Sequence, residues 1–143
     1  MKDKKIKLRY GENPEQKAYL ICSKNKTIFD YQINGKKISY NNIIDIDSGL
    51  KCINEFDEPT SVIVKHTNPC GVASSKNINI AFQKSYESDS KSAFGGIIFF
   101  NRKVNTSLAK KIVENFFEIV VAPNFTLGFL KILKIKKNLI LLK

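Results

Sequence analysis

Lys65 and His66 are adjacent at the end of the apolar run Thr60-Ser-Val-Ile-Val-Lys-His66, and the turn sequence Thr67-Asn-Pro-Cys-Gly71 follows at once. His66 is the only histidine of the chain. An imidazole can accept and return a proton near neutral pH, and an adjacent ammonium can stabilise a developing oxyanion. The pair therefore predicts a general base and an electrophilic cation at a strand end, where α/β proteins commonly place chemistry.

The geometry of a strand limits how these two side chains can cooperate. Successive residues of a strand point to opposite faces, so both serve one site only if the strand breaks between or just after them. Pro69 biases Asn68 toward extended geometry and Gly71 adds conformational freedom, which favours such a break. From the residues alone, a purely structural role for His66 stays open as an alternative.

The elements that would position the pair change in character near residue 60. The preceding part is rich in turns, with candidate strands at residues 18–22 and 27–33 and a helix at 42–56. Later strands are expected at 62–65, 96–100, 119–122 and 139–142. They alternate with helices at 79–87, 106–117 and 127–133, with Thr106 as an N-cap. This alternation predicts an α/β fold with a mostly parallel sheet covered on both faces.

Length and composition restrict the class of protein. A chain of 143 residues that is 43% hydrophobic fits one domain. It contains no apolar run of about 18 residues and no segment typical of a signal peptide, which favours a cytoplasmic protein without a membrane span. Three cysteines without a Cys-x-x-Cys pattern indicate reduced thiols rather than disulfides or a zinc knuckle.

The formal net charge of +11 raises the alternative of a nucleic-acid partner. However, the lysines are spread along the whole chain, and Arg9 and Arg102 are the only arginines. Arginine is the residue that reads bases and phosphates with two parallel hydrogen bonds. The charge therefore favours a solvated lysine surface, and it would also steer a small anionic substrate.

Two loop segments combine residue types that suit a ligand. Arg9-Tyr-Gly-Glu-Asn-Pro14 joins a forked cation to an aromatic hydroxyl, which would suit a phosphate or ribose. Ser92-Ala-Phe-Gly-Gly96 allows close backbone approach, and Phe94 could stack on a planar ring. The structural alternatives are an ordered loop with a surface arginine and a tight turn with Phe94 in the core.

Five motifs of the chain occur in the order found in the bifunctional purine biosynthesis family. They are Leu8-Arg-Tyr-Gly-Glu-Asn-Pro14, Ser39-Tyr-Asn-Asn42, Val64-Lys-His-Thr-Asn-Pro-Cys-Gly71, Asp89 with Ser92-Ala-Phe-Gly-Gly96, and Glu118-Ile-Val-Val-Ala-Pro123. The chain resembles the family's 5-aminoimidazole-4-carboxamide ribonucleotide (AICAR) transformylase domain. That domain transfers a formyl group from 10-formyltetrahydrofolate to the 5-amino group of AICAR. The resemblance implies a three-layer α/β/α, cytidine-deaminase-like fold, active sites across a homodimer interface, and no metal.

The resemblance also implies a role for individual residues. Lys65 and His66 resemble the catalytic pair, in which His66 accepts a proton from the amine and Lys65 hydrogen-bonds the formyl oxygen. The residues implied to bind the substrate are Arg9, Tyr10, Asn42, Phe94, Gly95 and Glu118. A zinc deaminase is not expected, because Cys70 has no second cysteine three residues later and His66 has no glutamate two residues later.

Some features depart from the family pattern. Glu15 stands where many members have histidine. The family's transformylase unit continues past the position of Lys143, where it supplies an asparagine and most folate contacts, and a cyclohydrolase domain normally precedes it. We therefore expect residues 1–143 to be the first half of the transformylase domain, with little turnover alone. The alternative is a non-catalytic module that binds a nucleotide, RNA or another protein.

Overall fold

The computed structural model describes residues 3–23 and 27–143. Its strands are β1 (Lys4–Lys7), β2 (Tyr19–Cys22), β3 (Gln32–Asn34), β4 (Thr60–Lys65), β5 (Asn68–Ser74), β6 (Ile97–Phe100), β7 (Ile119–Val121) and β8 (Ile140–Leu142). Its helices are α1 (Tyr40–Ile53), α2 (Ile78–Ser88), α3 (Ser90–Ala93), α4 (Thr106–Val113) and α5 (Leu127–Leu133). No helix within these residues is long and apolar enough to cross a membrane.

The central sheet has the strand order β3-β8-β7-β6-β4-β5, and β1 and β2 form a separate hairpin. Strands β6, β7 and β8 pair in parallel, whereas β4 is antiparallel to both of its neighbours and β3 is antiparallel to β8. Four of the six strands thus run in one direction. Because β4 runs against β6, its carboxyl end lies beside the amino ends of β6 and β7. That edge of the sheet carries Lys65.

Alternate residues of the central strands face two separate apolar layers. Val62, Val64 and Phe99 pack with α1 on one face. Ile63 and Ile98 belong to the opposite layer, which α2, α4 and α5 complete. The predicted α/β class with a three-layer α/β/α arrangement is therefore confirmed.

The segment after His66 is a strand, where the sequence predicted only a turn before a helix. β5 pairs antiparallel with β4, and Lys65 lies opposite Asn68. Pro69 is tolerated here because it lies opposite Val64, where the register shifts, and because β5 is the edge strand of the sheet. A tight hairpin therefore interrupts the predicted alternation of strands and helices.

Two other predicted elements differ from the structure. The strand predicted at residues 27–33 is a 3-10 turn at Ile28–Tyr31 followed by the short β3. The helix predicted at 106–117 ends at Val113, and its N-cap is Asn105 rather than Thr106. Thr106 instead packs against Gly128 of α5, where an added Cβ would lie 2.1 Å from the Thr106 hydroxyl oxygen.

Replacing Asn105 with Ala should destabilise the fold by about 1 kcal/mol, because α4 loses its N-cap. The Asn105 side-chain oxygen accepts a hydrogen bond from the Leu108 amide at 3.0 Å. Urea unfolding followed by circular dichroism measures the change. Ser107→Ala is the control, since Ser107 is exposed in the same helical turn. Equal stability losses in the two variants would contradict the capping role.

Polar contacts fix the start of β4 against its neighbours. The Thr60 amide donates to Asn101 Oδ1 at 2.8 Å, and Asn101 Nδ2 donates to the Glu58 carbonyl at 2.7 Å. Ser85 Oγ of α2 donates to Ser61 Oγ at 2.9 Å, and both serines are buried. These bonds satisfy polar groups that would otherwise be buried without partners.

Glycine permits two close approaches between helices and the sheet. A Cβ added to Gly49 of α1 would lie 2.1 Å from the Phe99 ring, which explains a glycine in the middle of this helix. A Cβ added to Gly71 of β5 would lie 2.0 Å from the Ser85 carbonyl oxygen of α2. The second contact involves the backbone of both elements, so it leaves little room for adjustment.

Candidate functional site

His66 and Thr67 form the two-residue turn that joins β4 to β5. Both have positive φ, 50° for His66 and 65° for Thr67, as in the type I′ turns that suit tight hairpins. β4 ends at Lys65, so the strand breaks between Lys65 and His66. Such a break is the condition under which both side chains can serve one site. The turn directs His66 toward the same cleft as Lys65.

Residues of α1 and β5 hold this turn by hydrogen bonds. The Thr67 amide donates to Asp45 Oδ1 at 2.7 Å, and Ser48 Oγ donates to the Thr67 carbonyl at 2.6 Å. Asn68 Nδ2 donates to the His66 carbonyl at 2.9 Å. Both backbone polar groups of Thr67 therefore have partners on one face of α1.

The Lys65 side chain is fixed by the segment that precedes β6. Its Nζ donates to the Phe94 carbonyl at 2.6 Å. The next residue, Gly95, has a φ of 74° and donates its amide to the Phe116 carbonyl at 2.8 Å. The Phe94 ring is 62% exposed and lies 5.1 Å from the Phe116 ring, centroid to centroid, so it is not a core residue.

Asn42 and Glu118 form a pair across the cleft. Asn42 Oδ1 accepts a hydrogen bond from the Ser39 backbone amide at 3.1 Å. The Asn42 backbone amide in turn donates to Ser39 Oγ, which completes a capping box at the start of α1. Asn42 Nδ2 donates to Glu118 Oε2 at 3.0 Å. Lys36 Nζ lies 4.0 Å from Glu118 Oε1. Because Asn42 is buried and bonded at both ends, it fixes the Glu118 carboxylate in place.

Arg9 and Tyr10 form a second bonded pair near α1. Arg9 Nη2 donates to the Tyr10 hydroxyl at 2.8 Å, and the guanidinium carbon lies 4.6 Å from the Tyr10 ring centroid. The Tyr40 amide donates to the Tyr10 carbonyl at 3.1 Å. This backbone bond attaches the Arg9–Tyr10 segment to the first turn of α1.

These elements surround an open cleft of about 460 Å³, within the usual range of small-molecule sites of about 300–1,000 Å³. Its lining includes Tyr10, Glu12, Ser39, Asn41, Asn42, Ile44, Asp45, Lys65, His66, Thr67, Gly95 and Glu118. Six of the eight residues singled out in the sequence therefore share one cleft. The other two, Arg9 and Phe94, do not line it, but each is hydrogen-bonded to a residue that does.

The electrostatics of the cleft are unusual at one carboxyl group. Burial raises the pKa of Asp45, and the negative charge of Glu118 acts in the same direction. The Thr67 amide and the charge of His66 act in the opposite direction. Asp45 therefore interacts with the His66–Thr67 turn both through a hydrogen bond and through charge.

Cys70 near the turn has the character of a structural thiol. Burial raises its pKa, and its Sγ donates to the Ile63 carbonyl at 3.5 Å. Within residues 3–23 and 27–143, no group of three His, Cys, Asp or Glu side chains is arranged to hold a metal ion.

The family model described as AICARFT/IMPCHase bienzyme matches residues 1–143. This chain belongs to that family. A curated relative in the family is the bifunctional purine biosynthesis protein PurH of Staphylococcus epidermidis, 50% identical over 145 residues that cover 99% of this chain and 30% of the relative. The PurH proteins of Caldicellulosiruptor bescii and Acetivibrio thermocellus are each 51% identical over 95% of this chain, and it covers 28% and 27% of them. The chain thus spans less than a third of the length of these relatives.

The sequence analysis assigned no binding or catalytic role to several residues of the cleft, among them Asp45, Ser39 and Thr67. Asp45 lies three residues after Asn42, so both lie on one face of α1. That spacing was the available signal for Asp45. Thr67 carried no such signal, because its role depends on its backbone groups rather than on its side chain.

Proposed function

We propose that this chain supplies the catalytic pair and part of the nucleotide site of an AICAR formyltransferase in purine biosynthesis. The observation that carries the proposal is that Lys65 and His66 face one cleft together with the bonded pair Asn42–Glu118. The proposed substrates are AICAR and 10-formyltetrahydrofolate. A second copy of the chain is the proposed partner, in keeping with the resemblance to a homodimeric family.

His66 and Lys65 have different roles in the proposed formyl transfer. The 5-amino group of AICAR is conjugated to a ring, so it is a weak nucleophile and must lose a proton as it attacks. His66 accepts that proton, and Lys65 donates a hydrogen bond to the formyl oxygen as negative charge develops on it. The new bond joins the formyl carbon to the amino nitrogen while the bond to N10 of tetrahydrofolate breaks. His66 then returns the proton to that leaving nitrogen.

The surrounding groups would orient the nucleotide. The carbonyl of Phe94 holds Lys65 Nζ at 2.6 Å, which fixes the position of the cation. The carboxylate of Glu118, held by Asn42, could accept hydrogen bonds from an amide or a ribose hydroxyl. Arg9 presents a forked cation suited to a phosphate, beside the Tyr10 hydroxyl. Holding the nucleotide in a fixed orientation contributes to the rate of a group transfer, because the reacting amine is already positioned.

A chimera tests the proposed activity. Residues 1–143 of this chain replace the aligned segment of the Staphylococcus epidermidis PurH, which is 50% identical to it. The purified chimera is expected to formylate AICAR with 10-formyltetrahydrofolate in a spectrophotometric assay. The matched chimera with Lys51→Met serves as a control, because Lys51 is exposed and lies outside the cleft. Folded chimeras that show no formyl transfer would contradict the proposal.

Calorimetry on the 143-residue chain provides a second test, of nucleotide binding. AICAR should give measurable heat, and Glu118→Gln should weaken its affinity by about tenfold, as expected for a hydrogen bond to a charged group. Glu114→Gln is the control, since Glu114 is exposed and outside the cleft. Salt-sensitive binding of a generic oligonucleotide without any AICAR heat would instead support a nucleic-acid-binding module.

A further inference from the structure

We infer that Asp45 is a positioning residue that holds the His66–Thr67 turn in the conformation that presents His66 to the cleft. The inference deepens the proposed function and rests on it for the catalytic consequence. Its structural part, a turn held by Asp45, is independent of which reaction the cleft performs.

The backbone of the turn requires an external constraint. Positive φ is uncommon for residues other than glycine, and for a β-branched residue such as Thr67 it is an outlier. Hairpin turns of this kind normally use Asn-Gly or Asp-Gly, whereas this chain has His66-Thr67. Strained backbone of this kind persists only where surrounding contacts determine it.

Asp45 supplies the contact that fits this need. Its Oδ1 accepts the Thr67 amide at 2.7 Å, a charge-assisted hydrogen bond to the backbone at the strained position. Ser48 lies one helical turn later and donates to the Thr67 carbonyl at 2.6 Å. The peptide groups on both sides of Thr67 are thereby attached to α1, which is anchored in the core by Ile46 and Ile53.

The placement of Asp45 explains why the attachment bears on chemistry. Asp45 is half-buried and lines the cleft beside His66, with Glu118 as the other carboxylate whose charge it experiences. His66 precedes Thr67 directly, so a rotation of the turn backbone would move the imidazole relative to Lys65. A displacement of about 1 Å at a catalytic group can cost on the order of 100-fold in rate.

Three single-substitution variants of the chimera test the catalytic part of the inference. Asp45→Ala should lower kcat on the order of 100-fold, with little change in the KM for AICAR, because the turn loses its position rather than the substrate its binding groups. Asp45→Asn keeps an oxygen for the Thr67 amide and should restore the rate to within about tenfold of the parent chimera. Asp47→Ala is the matched control, since Asp47 is exposed on the same helix and pairs with Lys51 at 2.7 Å.

Two results of this assay would overturn the inference. The first is an Asp45→Ala chimera as fast as the Asp47→Ala control. The second is an Asp45→Asn chimera as slow as Asp45→Ala, which would assign the effect to the charge instead of the hydrogen bond.

Amide hydrogen exchange on the 143-residue chain tests the structural part without any activity. Thr67 amide exchange should accelerate by about tenfold or more in Asp45→Ala and stay unchanged in Asp47→Ala, as expected for loss of one hydrogen bond. Unchanged protection in Asp45→Ala would overturn the inference. An inactive parent chimera, in contrast, would contradict the proposed function while this exchange measurement still decides the role of Asp45.

Discussion

Replacing His66 with Ala in the chimera should lower kcat for formyl transfer by on the order of 10²–10⁴-fold, the usual contribution of a positioned proton acceptor. His66 is the only histidine of the chain, and it lies on the turn that faces the cleft. The KM for AICAR should change much less than kcat, because the nucleotide contacts are assigned to other residues. Steady-state kinetics with varied AICAR measures both quantities.

Two further variants separate the chemistry of His66 from its conformation. Asn readily adopts positive φ, but its side-chain amide does not act as a base near neutral pH. His66→Asn should therefore be as slow as His66→Ala. Lys65→Met removes the ammonium and keeps the apolar stem, and it should cost on the order of 10²–10³-fold in kcat. Rates within threefold of the parent chimera for both His66 variants would rule out the base assignment.

Replacing Gly71 with Ala should destabilise the fold by about 3 kcal/mol, at the upper end of the usual cost of overpacking. The new Cβ would lie 2.0 Å from the Ser85 carbonyl oxygen and 2.8 Å from the Ser85 carbonyl carbon. Neither backbone can move away easily, because β5 is paired with β4 and Ser85 is buried. Urea unfolding of the purified chain measures the loss.

The adjacent strand position provides the control. Val72 is 37% exposed, so Val72→Thr should change stability by about 0.5 kcal/mol or less. A Gly71→Ala chain as stable as the parent would mean that β5 and α2 can separate at little cost. In that case the close approach would not constrain the hairpin that carries His66.

The prediction of the fold succeeded where apolar periodicity dominates. Helix α5 has the predicted bounds, and β4, β6, β7 and β8 lie where short apolar runs indicated strands. β5 was missed because Pro69, Cys70 and Gly71 resemble a loop, and local composition does not reveal that the segment will pair with β4. The cap of α4 was misplaced by one residue, since Asn105 and Thr106 are both good caps and only packing against α5 decides between them.

The site could be predicted in part for similar reasons. Lys65 and His66 were accessible from residue type and position at a strand end. The bond between Asn42 and Glu118 joins residues 76 positions apart, so nothing local indicates it. The fold brings Glu118, the residue just before β7, within hydrogen-bond distance of the first turn of α1. Asp45 escaped notice because its partner is a backbone amide in a turn that was expected to continue as a loop.

The polar contacts at the start of β4 have a consequence for Lys65 at its other end. Both faces of β4 are apolar, with Val62 and Val64 on one side and Ile63 on the other, so burial alone does not strongly discriminate between alternative registers. A slip of one residue would keep much of the apolar burial but would turn Lys65 away from the cleft. The hydrogen bonds from the Thr60 amide to Asn101 Oδ1 and from Ser85 Oγ to Ser61 Oγ are satisfied in one alignment. The side chains of Asn101, Ser61 and Ser85, at the far end of the strand, thus help to determine which face Lys65 occupies.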